Sequence, residues 1–269
     1  MHAVTEDAYA KINLTLHVKG RRDDGYHELS SLVAFADVAD RLVIEPAVAK
    51  SLSVTGPFAD GVPIDDNIIW KAWHHLAATM EVPPVSVHLE KNLPVASGIG
   101  GGSADAAAML RGLLKLVNRK LDDAEVRGLA AIGADVPVCF ESKACLMEGI
   151  GEKMSAPTAK LPAAIVLVNP KLDCETAGVF KVLGLKPGQA HEVGDALWRN
   201  DLMPAALSLQ PVIGEVLAAL NKTDLSPCLM SGSGATCFGL ASSLGHAEGE
   251  ARKLAQDHPQ WWVRAARLI

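Results

Sequence analysis

Hydrophobic and polar residues alternate over several short stretches of this chain. From Ala8 to Val18 every second residue is apolar, which predicts a half-buried β-strand. Lys11 and Asn13 lie on the polar face of that strand, which we expect to be exposed to solvent. Residues 85–89 alternate in the same way, and residues 42–46 form a shorter apolar run, so both are predicted to be strands.

Other stretches have apolar residues at helical spacing. Residues 67–80 are predicted to form a helix, with Asp66 or Asn67 as its N-cap. Strands and helices intermix without strict alternation, which favours an α+β fold over a doubly wound sheet. Further helices are predicted at 104–117, 124–132, 176–183 and 247–257, helical segments near 195–220, and strands at 52–55, 164–168 and 262–268.

The composition changes in the middle of the chain. Gly149 and Gly151 precede a more relaxed stretch that contains Pro157 and Pro162. Glycine and proline at such a density are typical of a connection between folded segments. We therefore predict two domains, residues 1–153 and residues 154–269.

Composition and charge exclude several classes of protein. The 269 residues are 49% hydrophobic and 21% charged, and the net charge is −6, so nucleic acid and acidic membranes are not expected partners. Five cysteines without a CxxC pair predict reduced, buried thiols. The N-terminus lacks the apolar core of a signal peptide, and residues 225–247 are uncharged but rich in glycine, so we expect a soluble cytoplasmic protein without a membrane span.

The glycine-rich loop from Gly98 to Ser103 is the strongest candidate for chemistry. Glycines let backbone N–H groups approach a polyphosphate, and the helix that follows directs its positive end toward the anion. A tight turn without a ligand explains the same residues. No Gly-Lys-Ser/Thr follows, so the loop is not a Walker P-loop, and the dinucleotide fingerprint is incomplete because its last position is Ser103.

Asp135 is a second candidate on less specific grounds. It precedes Val136 and Pro137, so it is well placed to cap a helix. Its neighbours are apolar, however, and an ionised carboxylate in such a setting requires a partner.

Taken in order, several segments resemble the GHMP family of small-molecule kinases. The loop PVASGIGGGSA (Pro94–Ala104) and MSGSGAT (Met230–Thr236) are similar to the two glycine motifs of that family. Five more segments are similar to the members that phosphorylate a cytidine diphosphate-linked methylerythritol: AKINLTLHV (10–18), DGYHEL (24–29), DDNII (65–69), GADVPV (133–138) and EGIGE (148–152).

This resemblance implies a two-domain α+β fold with ATP bound mainly by the N-terminal domain and a catalytic centre in the cleft between the domains. Lys11 and Asp135 fall at the two catalytic positions. The resemblance also implies ATP as phosphoryl donor, with Mg²⁺ bound to it. The implied ATP-binding residues are Asn67 and Lys91, which fall where the family contacts the adenine end, and Pro94, Val95, Ala96, Ser97, Gly98, Ile99, Gly100, Gly101, Gly102, Ser103 and Ala104. The implied substrate-binding residues are Asn13, Tyr26, His27, Thr176 and Phe180.

The substrate-binding positions have separate implied roles. Tyr26 and Phe180 correspond to an aromatic pair that stacks on cytosine, and His27 to the residue that hydrogen-bonds its edge. Asn13 and Thr176 match positions near the methylerythritol or the substrate phosphates. These assignments favour a cytidine-bearing substrate over mevalonate or homoserine.

Three alternatives compete with this interpretation. The first is another GHMP kinase, of the mevalonate or homoserine type. The second is a nicotinamide-dependent oxidoreductase, although its acidic ribose partner would have to be Asp122 or Asp123, which are predicted to connect two helices. The third is an RNA-binding protein, which the negative net charge disfavours. The sequence does not predict the oligomeric state.

Overall fold

Residues 2–157, 160–191 and 196–269 are described by a computed structural model, in which the chain divides into two units. The units alternate along the chain, and the loop that contains Gly98 and Gly100 contributes to both. The first unit takes its described residues from Met1–Ala10, Ala39–Val95 and Gly100–Ser142, and the second from Lys11–Val38, Ala96–Ile99 and Lys143–Ile269.

Two long strands supply residues to both units. They are β1 (Val4–Asn13) and β3 (His27–Pro46), with β2 (His17–Arg21) between them in the chain. In the first unit, β4 (Ser51–Thr55) runs parallel to β5 (Val85–Glu90), and β5 pairs antiparallel with residues 41–46 of β3.

Four helices complete the first unit: α1 (Ile68–Ala77), α2 (Gly101–Leu116), α3 (Asp123–Gly128) and α4 (Val136–Glu141). Helix α2 has ten buried residues among its 16 and packs against α1 and α4. Its small side chains permit this close packing, because Ala104, Ala106, Ala107 and Ala108 project little beyond the backbone.

The second unit contains a four-stranded antiparallel sheet in the order β11–β8–β10–β9. Its strands are β8 (Ala164–Asn169), β9 (Cys228–Met230), β10 (Cys237–Ala241) and β11 (Trp262–Arg267). In the same unit β2 and β6 (Cys145–Gly149) pair with residues 27–33 of β3, and β7 (Lys153–Ser155) pairs with β6. The helices are α5 (Thr176–Leu183), α6 (Met203–Leu209), α7 (Val212–Leu220) and α8 (Leu244–Asp257).

The α+β class is confirmed, and so are most predicted elements. Helices α1, α2, α5 and α8 and strands β4, β5, β8 and β11 lie where periodicity predicts them. Asn67 is the N-cap of α1, since its side chain accepts a hydrogen bond from the backbone N of Ile69 at 3.0 Å. Of the helical segments predicted near 195–220, α6 and α7 are present, and residues 192–195 lie outside the described part of the chain.

Some predicted boundaries are wrong. The alternating stretch 8–18 is divided between β1 and β2, because the backbone N of Leu16 donates to the carbonyl of Arg199 instead of continuing β1. Residues 42–46 are only the end of the 20-residue strand β3. The helix predicted at 124–132 consists of α3 followed by a short 3₁₀ turn.

The most consequential error concerns the polar face of β1. Lys11 and Asn13 are only 4% and 2% exposed, so the predicted solvent-exposed face is buried. The polar groups on this face satisfy one another through hydrogen bonds, which alternation alone does not reveal.

Residues 225–247 do not form a helix through the bilayer. They contain β9, a glycine-rich turn, β10 and the beginning of α8. Across the described residues, no helix combines the length and the apolar character that a membrane crossing requires.

Candidate active site

A row of buried polar side chains extends from the end of β1. The ammonium of Lys11 donates to Asn13 Oδ1 at 3.0 Å, and Asn13 Nδ2 donates to Ser31 Oγ at 2.7 Å. Ser31 Oγ in turn donates to the carbonyl of Thr15 at 2.5 Å. Because buried polar groups require partners, this chain of hydrogen bonds fixes where the Lys11 ammonium lies.

The thiol of Cys145, on β6, lies within the electrostatic influence of Lys11. Burial raises the pKa of Cys145 to about 11, against the opposing effect of the Lys11 charge. The thiol therefore stays protonated at neutral pH, which argues against a cysteine nucleophile at this position.

The first part of the glycine loop, taken here as Pro94–Ala104, is held through its carbonyl groups. The carbonyls of Ala96, Ser97 and Ile99 accept hydrogen bonds from the backbone N atoms of Cys174, Thr236 and Lys11 at 3.1, 3.1 and 2.9 Å. The carbonyl of Gly98, between them, accepts from the hydroxyl of Ser231 at 2.9 Å. Four consecutive carbonyls thus have donors within the second unit.

Gly98 is required by this packing. Its φ is +74°, and a Cβ there would lie within 2.8 Å of the backbone N and O of Gly234, and closer still to the carbonyl O of Ser231. The second glycine motif, Met230–Thr236, is therefore in direct contact with the first. A sequence-only argument does not assign a function to Gly232-Ser233-Gly234, because this contact joins residues more than 130 positions apart.

The second half of the loop begins helix α2. Gly100 is its N-cap, with a φ of +65°, and Gly101 and Gly102 open the first turn. Neither glycine is buried, so the N-terminal amide groups of this 16-residue helix lie near the surface of the first unit. Such a helix end favours phosphate groups.

A buried charge cluster lies against the beginning of α2. The ammonium of Lys91 contacts Asp40 Oδ2 at 2.6 Å and Asp105 Oδ2 at 2.5 Å. Asp40 Oδ1 also accepts hydrogen bonds from the backbone N atoms of Asn92 and Leu93, at 2.6 and 2.8 Å. The cluster therefore connects the end of β5 to α2.

The two acids of this cluster were not predicted from the sequence. The isolated charge of Asp105 within an alanine-rich helix is the signal that could have identified it. Burial raises the pKa of Asp105 to about 8, although the Lys91 charge acts in the opposite direction. Burial disfavours the charged form of Lys91, but its two carboxylate neighbours outweigh burial and raise its pKa.

Asn67 and Lys91 were both predicted to contact the adenine end of ATP. Asn67 Nδ2 donates to the carbonyl of Pro63 at 2.8 Å, so this side chain fixes the loop before α1 as well as capping the helix. Both residues are buried in the first unit. Their contact with adenine stays a prediction.

In the second unit, the predicted substrate-binding residues form an aromatic contact. The His27 and Phe180 rings stack with their centroids 4.3 Å apart, and Tyr26 is 59% exposed. Burial, and then the charge of Arg21, lower the pKa of His27, which favours a neutral imidazole. Among the described residues, His27 Nε2 has no hydrogen-bond partner. A neutral ring with one such nitrogen is suited to hydrogen-bond the edge of a nucleobase.

Thr176 lies at the first position of α5. Its hydroxyl is 2.8 Å from the hydroxyl of Ser233 in the second glycine motif. The second unit therefore joins a predicted substrate-binding side chain to the same motif that holds Gly98.

Asp135 belongs to the first unit and immediately precedes α4, with Pro137 in the first turn. Its position is that of an N-cap, but within the described chain its side chain makes no capping hydrogen bond. Helix capping therefore does not explain an aspartate at this position. Its catalytic role stays a prediction.

Comparison with protein families identifies two matching regions. Residues 67–143 match the GHMP kinases N terminal domain, and residues 185–260 match the GHMP kinases C terminal family. The first match contains Lys91, the glycine loop and Asp135, and the second contains Met230–Thr236.

Similar proteins cover almost the whole chain. A protein of Paramagnetospirillum magneticum named 4-diphosphocytidyl-2-C-methyl-D-erythritol kinase is 46% identical over 286 residues and covers 100% of both chains. A protein of the same name from Dinoroseobacter shibae is 48% identical and covers 95% of this chain and 92% of its own.

Solved structures agree with this similarity. A crystal structure of 4-(cytidine 5'-diphospho)-2C-methyl-D-erythritol kinase has a TM-score of 0.79 and 33% identity, and covers 98% of this chain and 99% of its own. A homoserine kinase from Cytophaga hutchinsonii has a TM-score of 0.69 at 15% identity, and covers 100% of this chain and 98% of its own, which shows a shared fold.

We predict that Gly98→Ala destabilises the protein, because the added methyl group would meet backbone atoms and the left-handed φ disfavours a side chain. The free energy of unfolding should fall by more than about 1 kcal/mol in urea titrations. Gly249→Ala, in α8 with nothing within 4 Å of the added Cβ, is the control and should keep or raise stability. Equal free energies of unfolding for the two variants would show that packing and backbone conformation do not require glycine at position 98.

We predict that Asp105→Asn removes a pH dependence of stability. Folding raises the pKa of Asp105 from 3.8 to about 8, so its contribution is present at low pH and is lost as the pH rises through about 8. The stability of the variant relative to the wild type should therefore rise between pH 6 and 8, by at most ~1.4 kcal/mol per pH unit.

This pH dependence is measured by denaturant titrations at several pH values. Asp66→Asn is the control, because Asp66 is exposed and so is its ion pair with Lys71 at 3.8 Å. The pH dependence of this variant should match that of the wild type. Parallel curves for Asp105→Asn and the wild type would contradict the assigned protonation of the cluster.

Proposed function

The chain belongs to the GHMP kinase family, and we propose that it transfers the γ-phosphoryl group of ATP to the 2-hydroxyl of 4-diphosphocytidyl-2-C-methyl-D-erythritol. The products are the 2-phosphate and ADP, in the non-mevalonate route to isoprenoid precursors. Full-length identity of 46% to a relative with this activity in its name carries the proposal. Family membership decides against the nicotinamide-dependent alternative.

ATP is the phosphoryl donor of this family, and the glycine loop is suited to hold its phosphates. The carbonyls of residues 96–99 are engaged within the second unit, and the first turn of α2 presents Gly101 and Gly102. Backbone amide groups at the start of α2 are then the donors for the β- and γ-phosphates. A large side chain at either glycine would obstruct this approach.

Magnesium enters the proposal as part of the nucleotide. Among the described residues there is no group of three or more His, Cys, Asp or Glu side chains that could hold a metal ion. In the proposal Mg²⁺ arrives as a component of the substrate MgATP, with phosphate oxygens and water as its ligands and Ser103 as a further candidate.

Phosphoryl transfer depends mainly on positioning and on stabilisation of charge. In our proposal Asp135 accepts the proton of the attacking 2-hydroxyl, and Lys11 stabilises the charge that develops on the transferred group. Asn13 supports the second role, because it holds the Lys11 ammonium at 3.0 Å.

The acceptor is recognised by its cytosine. His27 and Phe180 are already stacked, and the exposed Tyr26 ring is the second aromatic surface of the proposal. His27 Nε2 then hydrogen-bonds the edge of the base, while Asn13 and Thr176 bind the methylerythritol or the phosphates of the acceptor. Mevalonate and homoserine lack a base, so they cannot use the aromatic residues in this way.

The organisation of the chain is part of the proposal. The matched regions, 67–143 and 185–260, lie on opposite sides of the predicted boundary at 153/154, which supports a division into domains 1–153 and 154–269. We place the proposed enzyme in the cytoplasm.

The proposal is tested by ADP release with three acceptors. With MgATP we expect turnover with 4-diphosphocytidyl-2-C-methyl-D-erythritol and less than about 1% of that kcat/KM with mevalonate or homoserine, since only the first offers a base for stacking. If mevalonate or homoserine were phosphorylated and the diphosphocytidyl substrate were not, the chain would belong to another branch of the GHMP kinase family. ADP release without an acceptor is the background control.

We predict that Asp135→Asn lowers kcat by roughly 10²–10⁴-fold, because the amide cannot accept the proton of the 2-hydroxyl. Asp123→Asn, an exposed aspartate in the first turn of α3, should keep wild-type turnover. Steady-state ADP release measures both variants, and circular dichroism checks that both are folded. Near-normal turnover of Asp135→Asn would exclude Asp135 as the base.

A further inference from the structure

One buried hydroxyl joins three segments of the second unit. Ser231 is 0% exposed and follows β9 directly. Its Oγ accepts a hydrogen bond from the backbone N of Asn13 at 3.0 Å and donates one to the carbonyl of Gly98 at 2.9 Å. A backbone N–H can only donate and a carbonyl can only accept, so the single hydroxyl proton is committed to Gly98.

The two partners of Ser231 belong to the machinery of the proposed reaction. Asn13 holds the ammonium of Lys11, and Gly98 lies at the centre of the glycine loop. Strand β1 also contacts the loop directly, because the backbone N of Lys11 donates to the carbonyl of Ile99 at 2.9 Å. Two adjacent links therefore join β1 to the loop, one of them through Ser231.

Ser231 is itself firmly held. Its backbone N donates to the carbonyl of Thr236 at 2.9 Å, which closes the second glycine motif into a turn. The side chain of Asn200 donates to the carbonyls of Met230 and Gly232, at 2.8 and 2.7 Å, on either side of Ser231. Because this turn is hydrogen-bonded on both sides of Ser231, the hydroxyl has a defined position. It can therefore fix the positions of its partners, Asn13 and Gly98.

We propose that Ser231 is a positioning residue for phosphoryl transfer. Its hydroxyl sets the position of the glycine loop relative to the strand that carries Lys11 and Asn13. The proposal rests on the function proposed above, since it assigns Ser231 to the geometry of that same reaction. Ser231 acts through Asn13 and Gly98 and makes no bond to a reacting atom.

The physical consequence of losing the hydroxyl is specific. In Ser231→Ala the buried backbone N of Asn13 and the half-buried carbonyl of Gly98 both lose this partner, and each must move to find another. Displacements of about 1 Å in an active site can reduce the rate 10²-fold. The aromatic contact of His27 with Phe180 does not involve Ser231, so binding of the cytosine should persist.

The test separates kcat from KM in Ser231→Ala, with ADP release measured well below the melting temperature. We expect kcat to fall about 10–100-fold while KM for the diphosphocytidyl substrate changes less than about 3-fold. An unchanged kcat would overturn the positioning role, even if the melting temperature of the variant were lowered. Absence of turnover in the wild type with this acceptor would instead overturn the proposed function, and the positioning role with it.

Thr223 provides a matched control. Its hydroxyl has the same pair of roles in the second unit, donating to the carbonyl of Leu220 at 2.6 Å and accepting from the backbone N of Leu225 at 3.2 Å. Thr223→Ala should retain wild-type kcat, since neither partner belongs to the glycine loop or β1. An equal loss of kcat in both variants would show a general effect of stability and would overturn the proposal.

If Ser231→Ala does not fold, Ser231→Cys takes its place in the same measurements. A thiol fills the space of the hydroxyl but is a weaker donor and acceptor. We expect kcat of Ser231→Cys to fall at least about 5-fold with KM for the diphosphocytidyl substrate retained. Wild-type kcat in Ser231→Cys would overturn the proposal.

Discussion

The glycine loop is held in place through the backbone carbonyls of four consecutive residues. The carbonyls of residues 96–99 all accept hydrogen bonds within the second unit, three from backbone N–H groups and one from Ser231. Other features follow from this arrangement. A side chain at Gly98 would occupy the space of the second glycine motif, and the end of β1 contributes one of the donors through the backbone N of Lys11.

The two buried lysines have different tasks in this account. Lys91 lies between two carboxylates, and the resulting cluster connects the end of β5 to the helix that follows the loop. Lys11 donates to the amide oxygen of Asn13 at 3.0 Å, which contributes to fixing its position. A positioned ammonium is suited to stabilise the charge of a phosphoryl group.

Local patterns predict local structure well in this protein. The bounds of α5 and the cap of α1 follow from residues close together in the chain, and the motif order identifies the family over its full length. Alternation gives no information about which face of β1 is covered, since burial of Lys11 and Asn13 depends on Ser31 and Ser231. The partnership of Asp40 with Lys91, 51 positions apart, is equally invisible to local periodicity.

The central claim is that Lys11 and Asp135 act together at the terminal phosphate of ATP. A crystal structure with 4-diphosphocytidyl-2-C-methyl-D-erythritol and a non-hydrolysable ATP analogue measures this most directly. The account predicts Lys11 Nζ within about 3.5 Å of a γ-phosphate oxygen and an oxygen of Asp135 within the same distance of the acceptor 2-hydroxyl. Either side chain directed away from the phosphate, or an acceptor hydroxyl beside another base, would contradict it.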